Sequence, residues 1–176
     1  MSDLKPQSWV VAAGRPETAG SPLNVPLVPA SNYLRGEDKV YTRDSGAPGW
    51  EALEEIVGGL EGGRAVSFSS GMAAAAAVFD QLPVGARIAI PDDCYHGVAE
   101  LARLGQDKGQ WQVIRIAVTD MVHWVTAARE ADLLWLESPS NPLLQVADLK
   151  AICSAPRKEG SILVVDNTFA TPLNQK

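Results

Sequence analysis

The sequence predicts an α/β fold: a mostly parallel sheet with helices on both faces, preceded by an extended N-terminal arm over residues 1–49. From Pro16 to Gly49 the chain is rich in Pro, Gly, Ser and Asn, and Pro16, Pro22, Pro26, Pro29 and Pro48 interrupt any periodic pattern, since proline fixes φ and removes a hydrogen-bond donor. Beyond it, short apolar runs alternate with longer amphipathic or apolar helical stretches, the βαβα order of a parallel sheet covered on both sides. The 176 residues are 46% hydrophobic and 20% charged, which suits one globular domain with a buried core.

The elements follow in order. Trp50–Leu60 sets Trp50, Leu53, Ile56, Val57 and Leu60 at helical spacing,. Ala65–Phe68 reads as a first strand, and Met72–Leu82, Ala-rich through Ala73–Ala77, as a helix suited to burial against a sheet,. Strands are then expected at Arg87–Ile90, Gln112–Val118, Leu133–Glu137 and Ile162–Asp166, each β-branched or aromatic and bounded by turn residues,. Helices at Val98–Leu104, Val122–Ala131 and Val146–Ala155 complete the alternation.

Charge and composition narrow the partners. Lys plus Arg number 15 against 21 for Asp plus Glu, a formal charge of -6, so no basic face is offered to nucleic acid or anionic lipid. A small molecule is the better expectation. The two cysteines, Cys94 and Cys153, lie far apart and without histidines at ligand spacing, which argues against a disulfide scaffold or a zinc site,. No signal peptide or stretch of transmembrane length is read, and the expected location is the cytoplasm.

Four segments could carry chemistry, each at the end of an expected strand. Ser69-Ser70-Gly71-Met72 stands where a strand meets a helix, a place where helix N–H groups converge on anions and a glycine admits a phosphate; a tight turn of small residues is the plainer alternative. Asp166 ends the run Ile162–Val165, where a carboxylate is costly to desolvate unless it meets a cation or strong donor. Capping the next turn through backbone N–H groups is the more common role of an isolated strand-end Asp. Glu137-Ser138-Pro139-Ser140-Asn141-Pro142 is a loop stiffened by two prolines, able to hold a carboxylate and an amide in fixed directions, or simply a turn. Tyr95 offers a ring to stack on a flat heterocycle and a hydroxyl for proton transfer, while His96 and His123 read as turn and helix residues. Ser67-Phe68-Ser69-Ser70-Gly71 also has the outline of a hydrolase nucleophile elbow, but Ser67 replaces its first glycine.

Together these segments resemble the trans-sulfuration family of pyridoxal phosphate (PLP)-dependent enzymes, which includes cystathionine γ-synthase, cystathionine γ-lyase, cystathionine β-lyase and methionine γ-lyase. The likeness runs from about Gly14 to the last residue. It rests on Tyr41-Thr42-Arg43, Trp50-Glu51-Ala52-Leu53-Glu54, Leu60-Glu61-Gly62-Gly63, Ser69-Ser70-Gly71-Met72-Ala73-Ala74, Asp93-Cys94-Tyr95, Glu137–Pro142 and Val165-Asp166-Asn167-Thr168-Phe169.

The resemblance implies a fold type I PLP-dependent transferase, with residues 50–176 forming part of its large domain. Gly71 and Met72 would hold the cofactor phosphate by their N–H groups, and Asp166 would pair with the protonated pyridine nitrogen and keep the ring an electron sink. Tyr95 would stack on the ring and act in catalysis, Asn141 would lie near the ring's phenolic oxygen, and Thr168 near the ring. Tyr41 and Arg43 would reach the phosphate of a neighbouring subunit's site, implying a homodimer or homotetramer. The expected activity is that of a sulfur amino-acid lyase or transferase working by β/γ-elimination or γ-replacement; a non-catalytic PLP-binding or interaction fragment is the alternative.

Two departures qualify this. No residue matches the family's cofactor-bearing lysine, which follows the aspartate in a Ser-x-Thr-Lys context, whereas Lys176 follows Asn174-Gln175. The chain alone is therefore expected to be inactive, and to be unstable unless a complementary fragment supplies strand partners. After Tyr95, where many members read Tyr-Gly-Gly-Thr-x-Arg, this chain reads Tyr95-His96-Gly97-Val98-Ala99-Glu100; an acidic Glu100 in place of that arginine would disfavour a substrate with a distal carboxylate.

Overall fold

The computed structural model describes residues 4–176 as two compact units, one running to Phe68 and the other from Ser69 to Gln175. The first holds helices α1 (Pro6–Ala12), α2 (Thr42–Ser45) and α3 (Pro48–Glu61). α3 opens on Pro48, whose missing N–H would be unpaired there anyway, and ends at Gly62, whose φ of 70° supplies the left-handed cap,. Helix α1 lies within the expected arm and was not foreseen. It docks on α3 through Trp9, whose indole Nε1 donates to the Ile56 carbonyl at 2.9 Å. That approach requires Gly59: a Cβ there would come within 2.1 Å of the Trp9 ring.

The expected strand at Ala65–Phe68 is absent. The segment is extended but joins no ladder among the described residues, and Val66 and Phe68 are 72% and 47% exposed. Local apolar character selects extended backbone, but a strand exists only by pairing its N–H and C=O groups with a neighbour. Glu54 anchors it, its carboxylate accepting from both the N–H and hydroxyl of Ser67 at 2.7 Å.

The second unit is a sheet of β1 (Ala86–Pro91), β2 (Trp111–Ile116), β3 (Leu133–Glu137) and β4 (Ile162–Asp166), all parallel, in the order β2-β1-β3-β4. Ile88 faces Leu133, and Glu137 faces Asp166 across the β3–β4 ladder. Alternate residues supply two cores, as the pleat requires. On one face Ile88, Ile90, Leu133 and Trp135 pack with Ala75 and Phe79 of α4 (Gly71–Phe79) and with Val98 and Ala102 of α5 (His96–Asp107). On the other, Ala89, Leu134 and Leu136 pack with Trp124, Ala127 and Ala128 of α6 (Met121–Ala128) and Ile152 of α7 (Leu149–Ser154). The parallel sheet with helices on both faces is thus present.

Boundaries shifted where side chains settle them. Asp120 caps α6 by accepting from His123 N–H at 3.1 Å, and Asp148 starts α7 later than the periodicity implied by accepting from Ala151 N–H at 3.0 Å,. β2 begins one residue early because Trp111 lies along α5: its Nε1 donates to Ala102 O at 2.8 Å, and a Cβ on Gly105 would fall 1.9 Å from its ring. A short α8 (Thr171–Asn174) follows β4. No helix among the described residues is long and apolar enough to cross a membrane.

Candidate functional site

The strand order determines where a crevice opens. From β1 the chain runs through α5 to β2 on one side, then returns to lay β3 on the other side of β1. The helices after β1 and β3, α5 and α7, pack on opposite faces. Loops leaving the carboxyl ends of β1 and β3 therefore diverge, the arrangement that creates binding crevices in open α/β sheets. A cavity of about 630 Å³ lies at this edge, lined by residues that include Ser70, Gly71, Met72, Tyr95, Trp135, Glu137, Asn141, Asp166 and Thr168.

The structure thus gathers Gly71, Met72, Tyr95, Asn141, Asp166 and Thr168 from separate stretches of sequence. Tyr41 and Arg43 belong to the first unit. There Tyr41 bridges Asn32 in antiparallel fashion, and its neighbour Thr42 is held by its N–H to Ser31 O at 2.9 Å and its hydroxyl to Ala30 O at 2.8 Å. Glu100 does not line the cavity; its carboxylate takes the guanidinium of Arg103 at 2.7 and 2.9 Å on the exposed side of α5.

Each site group has a local cause. Ser70 caps α4, its hydroxyl accepting from Ala73 N–H at 3.1 Å. The N–H groups of Gly71 and Met72 precede the first intrahelical bonds and have no acceptor among the described residues, leaving two donors at a helix start,. A Cβ on Gly71 would meet nothing within 4 Å, so the space beside this backbone is open.

Asp166 combines both roles left open by its sequence. Its Oδ1 accepts from the Thr168 N–H at 3.1 Å and hydroxyl at 2.6 Å, which makes it a turn cap. Its Oδ2 has no donor among the described residues and is left for a ligand,. Thr168 thereby orients the carboxylate. Tyr95, 37% exposed, stands at the cavity edge with its ring tilted against His96, centroids 4.5 Å apart.

Glu137 is the residue whose importance the sequence understated. It is 4% exposed, and its Oε2 accepts from Tyr95 N–H at 2.8 Å. Burial raises its carboxyl, the Tyr95 N–H opposes this, and the charges of Asp166 and Asp93 add to it, pushing the pKa up to about 7 from an ordinary 4.5,. The folded protein thus keeps this proton after the unfolded chain has released it, so stability falls as pH rises from about 4.5 to about 7,. Glu137→Gln retains an oxygen for Tyr95 N–H without the charge. Relative to wild type it should gain roughly 3 kcal/mol across that interval, read by urea denaturation at a series of pH values; parallel pH profiles would refute this.

Trp135 was legible only as a strand residue. It is 5% exposed in the cavity wall, its ring tilted against Phe79 with centroids 5.7 Å apart, and its buried Nε1 has no partner among the described residues.

The donor set can be tested against a ligand. Among the described residues, no lysine, arginine or histidine lines the cavity, and the acidic side chains that do are Glu137 and Asp166. A carboxylate edge at one place and free helix-start N–H groups at another, with an aromatic ring between strand ends, fit a flat ring that is cationic at one position and anionic at another. Such a crevice at the strand ends is where open α/β sheets bind their ligands.

Comparison with known proteins agrees. Residues 12–176 match the model of the Cys/Met metabolism PLP-dependent enzymes, and the chain belongs to that family, whose cofactor is pyridoxal phosphate. It is 36% identical to cystathionine gamma-synthase of Mycobacterium bovis, over 97% of this chain and 46% of the relative. It is 34% identical to cystathionine beta-lyase of Lactococcus lactis subsp. cremoris, over 100% and 48%. Among solved structures it resembles cystathionine gamma synthase from Xanthomonas oryzae pv. oryzae in complex with cystathionine, with TM-score 0.84 and 32% identity over 96% of this chain and 46% of that one. The chain spans about half the length of the curated relatives it matches.

Proposed function

We propose that these residues form the PLP-binding part of a sulfur amino-acid lyase or transferase acting by β/γ-elimination or γ-replacement. The observation that carries this is the meeting, in one cavity, of two unpaired helix-start N–H groups and the free oxygen of Asp166. Gly71 and Met72 would bind the phosphate, Asp166 the protonated ring nitrogen, and Asn141 the phenolic oxygen. Tyr95 would lie over the ring, excluding water from one face and presenting its hydroxyl for proton transfer. When bound, PLP supplies the electron sink that stabilises negative charge at the substrate's Cα.

The acidic lining leaves the phosphate short of a cation. This supports a role for exposed Arg43, with Tyr41, at the phosphate of a neighbouring subunit in a homodimer or homotetramer,. Residues 1–49 would then act as an arm between subunits in a cytoplasmic enzyme. The second reading is a non-catalytic fragment that binds PLP reversibly or serves in interaction.

PLP added to the 176-residue chain should quench tryptophan fluorescence saturably through Trp135, and pyridoxal lacking the phosphate should bind at least about tenfold more weakly. Equal affinity for the two would remove the helix-start role. Keto-acid release from cystathionine by the same chain would exclude the non-catalytic reading.

A further inference from the structure

The loops that diverge after β1 and β3 are tied together twice, in opposite senses. Glu137, at the end of β3, reaches to the loop after β1 and accepts from Tyr95 N–H at 2.8 Å. Asp93, on that β1 loop, reaches back: its Oδ2 accepts from the Ser140 hydroxyl and from Leu143 N–H, the latter at 3.2 Å. The Ser140 hydroxyl in turn accepts from Gln145 N–H at 3.0 Å, and Ser140 is fully buried. A hydrogen bond to a carboxylate oxygen such as that of Asp93 is among the stronger ones, and a buried bond is expensive to open.

We infer that Glu137, Asp93 and Ser140 form a reciprocal clasp across the crevice that sets the distance between Tyr95 and Asn141. The inference rests on the proposed cofactor site, because its purpose is to hold the stacking ring of one loop in register with the amide of the other. Each carboxylate grips the loop that carries the other's site residue. Ser140 is thereby a positioning residue: neither its hydroxyl nor Asp93 lines the cavity, yet both bear on where Tyr95 stands. Among the described residues, these are the hydrogen bonds that join the loop after β1 to the end of β3 and the loop after it.

Coupling is what separates a clasp from two independent contacts. Ser140→Ala removes the hydroxyl that Asp93 accepts from and leaves the Glu137–Tyr95 bond untouched in composition. In the 176-residue chain it should nevertheless speed hydrogen exchange at the Tyr95 amide about tenfold. Glu137→Ala should do the same at Leu143. Exchange at Ala89 and Leu134, in the strands behind, should be unchanged in both, and Ser140→Thr, which restores a hydroxyl, should return Tyr95 to its wild-type rate. PLP affinity, read by tryptophan quenching, should fall about tenfold in Ser140→Ala and recover in Ser140→Thr.

A Tyr95 exchange rate unaltered in Ser140→Ala overturns the clasp, as does acceleration at Ala89 and Leu134 by the same factor, which is global unfolding. Unaltered PLP affinity with a freed Tyr95 amide overturns its bearing on the site. Should Ser140→Ala not fold, Asp93→Asn, which weakens the same grip while keeping an acceptor, carries the same readouts. If wild type fails to bind PLP, the cofactor site is wrong while the exchange measurements still decide the clasp.

Discussion

Replacing Asp166 by alanine should lower the affinity of the chain for PLP by roughly 10- to 100-fold, the loss of one hydrogen-bonded charge partner of about 1.5–3 kcal/mol. The carboxylate sits at the end of β4 beside Glu137, and Oδ2 is the oxygen free to meet a ring cation. Two effects add in this variant. The counter-charge goes, and Thr168 loses the acceptor for its N–H and its hydroxyl. Asp166→Asn separates them, since its amide oxygen still accepts from Thr168 while the charge is gone. It should keep the turn and lose most of the affinity. Titration by tryptophan quenching at pH 8 checks both, and an Asp166→Asn chain binding as wild type would show that the charge is not used.

The largest effect on stability is expected from Trp124→Ala. Trp124 is 1% exposed, sits at the centre of the α6–α7 core with Leu134, Leu136 and Ile152, and donates its Nε1 to Ala117 O at 3.1 Å. Truncating a buried tryptophan removes transfer energy and leaves a cavity the sheet cannot close, costing about 3–5 kcal/mol. Domain stabilities are about 5–15 kcal/mol, and both sheet edges, β2 and β4, are unpaired among the described residues. The variant should therefore retain little or no folded population at moderate urea. Trp124→Phe keeps most of the volume and should lose a smaller part. A Trp124→Ala midpoint equal to wild type would mean this core does not hold the unit together.

Much of the candidate site was legible because its residues end or follow strands. Runs such as Leu133–Leu136 and Ile162–Val165 announce buried parallel strands, and whatever polar residue follows such a run stands at the carboxyl edge of the sheet. Asp166, Glu137 and Tyr95 were all found that way. Ser70-Gly71 was found by helix-start chemistry, although the strand expected before it is not formed. What could not be read was which of these loops touch one another. Tyr95 and Glu137 are 42 residues apart, and Asp93 and Leu143 are 50 apart; nothing local in either segment names its partner.

The sequence by itself determined the alternation of elements, the two-faced burial of the sheet, and the family, because period, propensity and short motifs are properties of neighbouring residues. Only the tertiary structure decided that Ala65–Phe68 pairs with nothing, that Trp111 rather than Gln112 opens β2, that Glu100 turns to Arg103, and that Glu137 holds its proton to near neutral pH. Ladders, clasps and desolvation are set by which distant groups meet and by how much water is left around them, and both depend on the chain being folded.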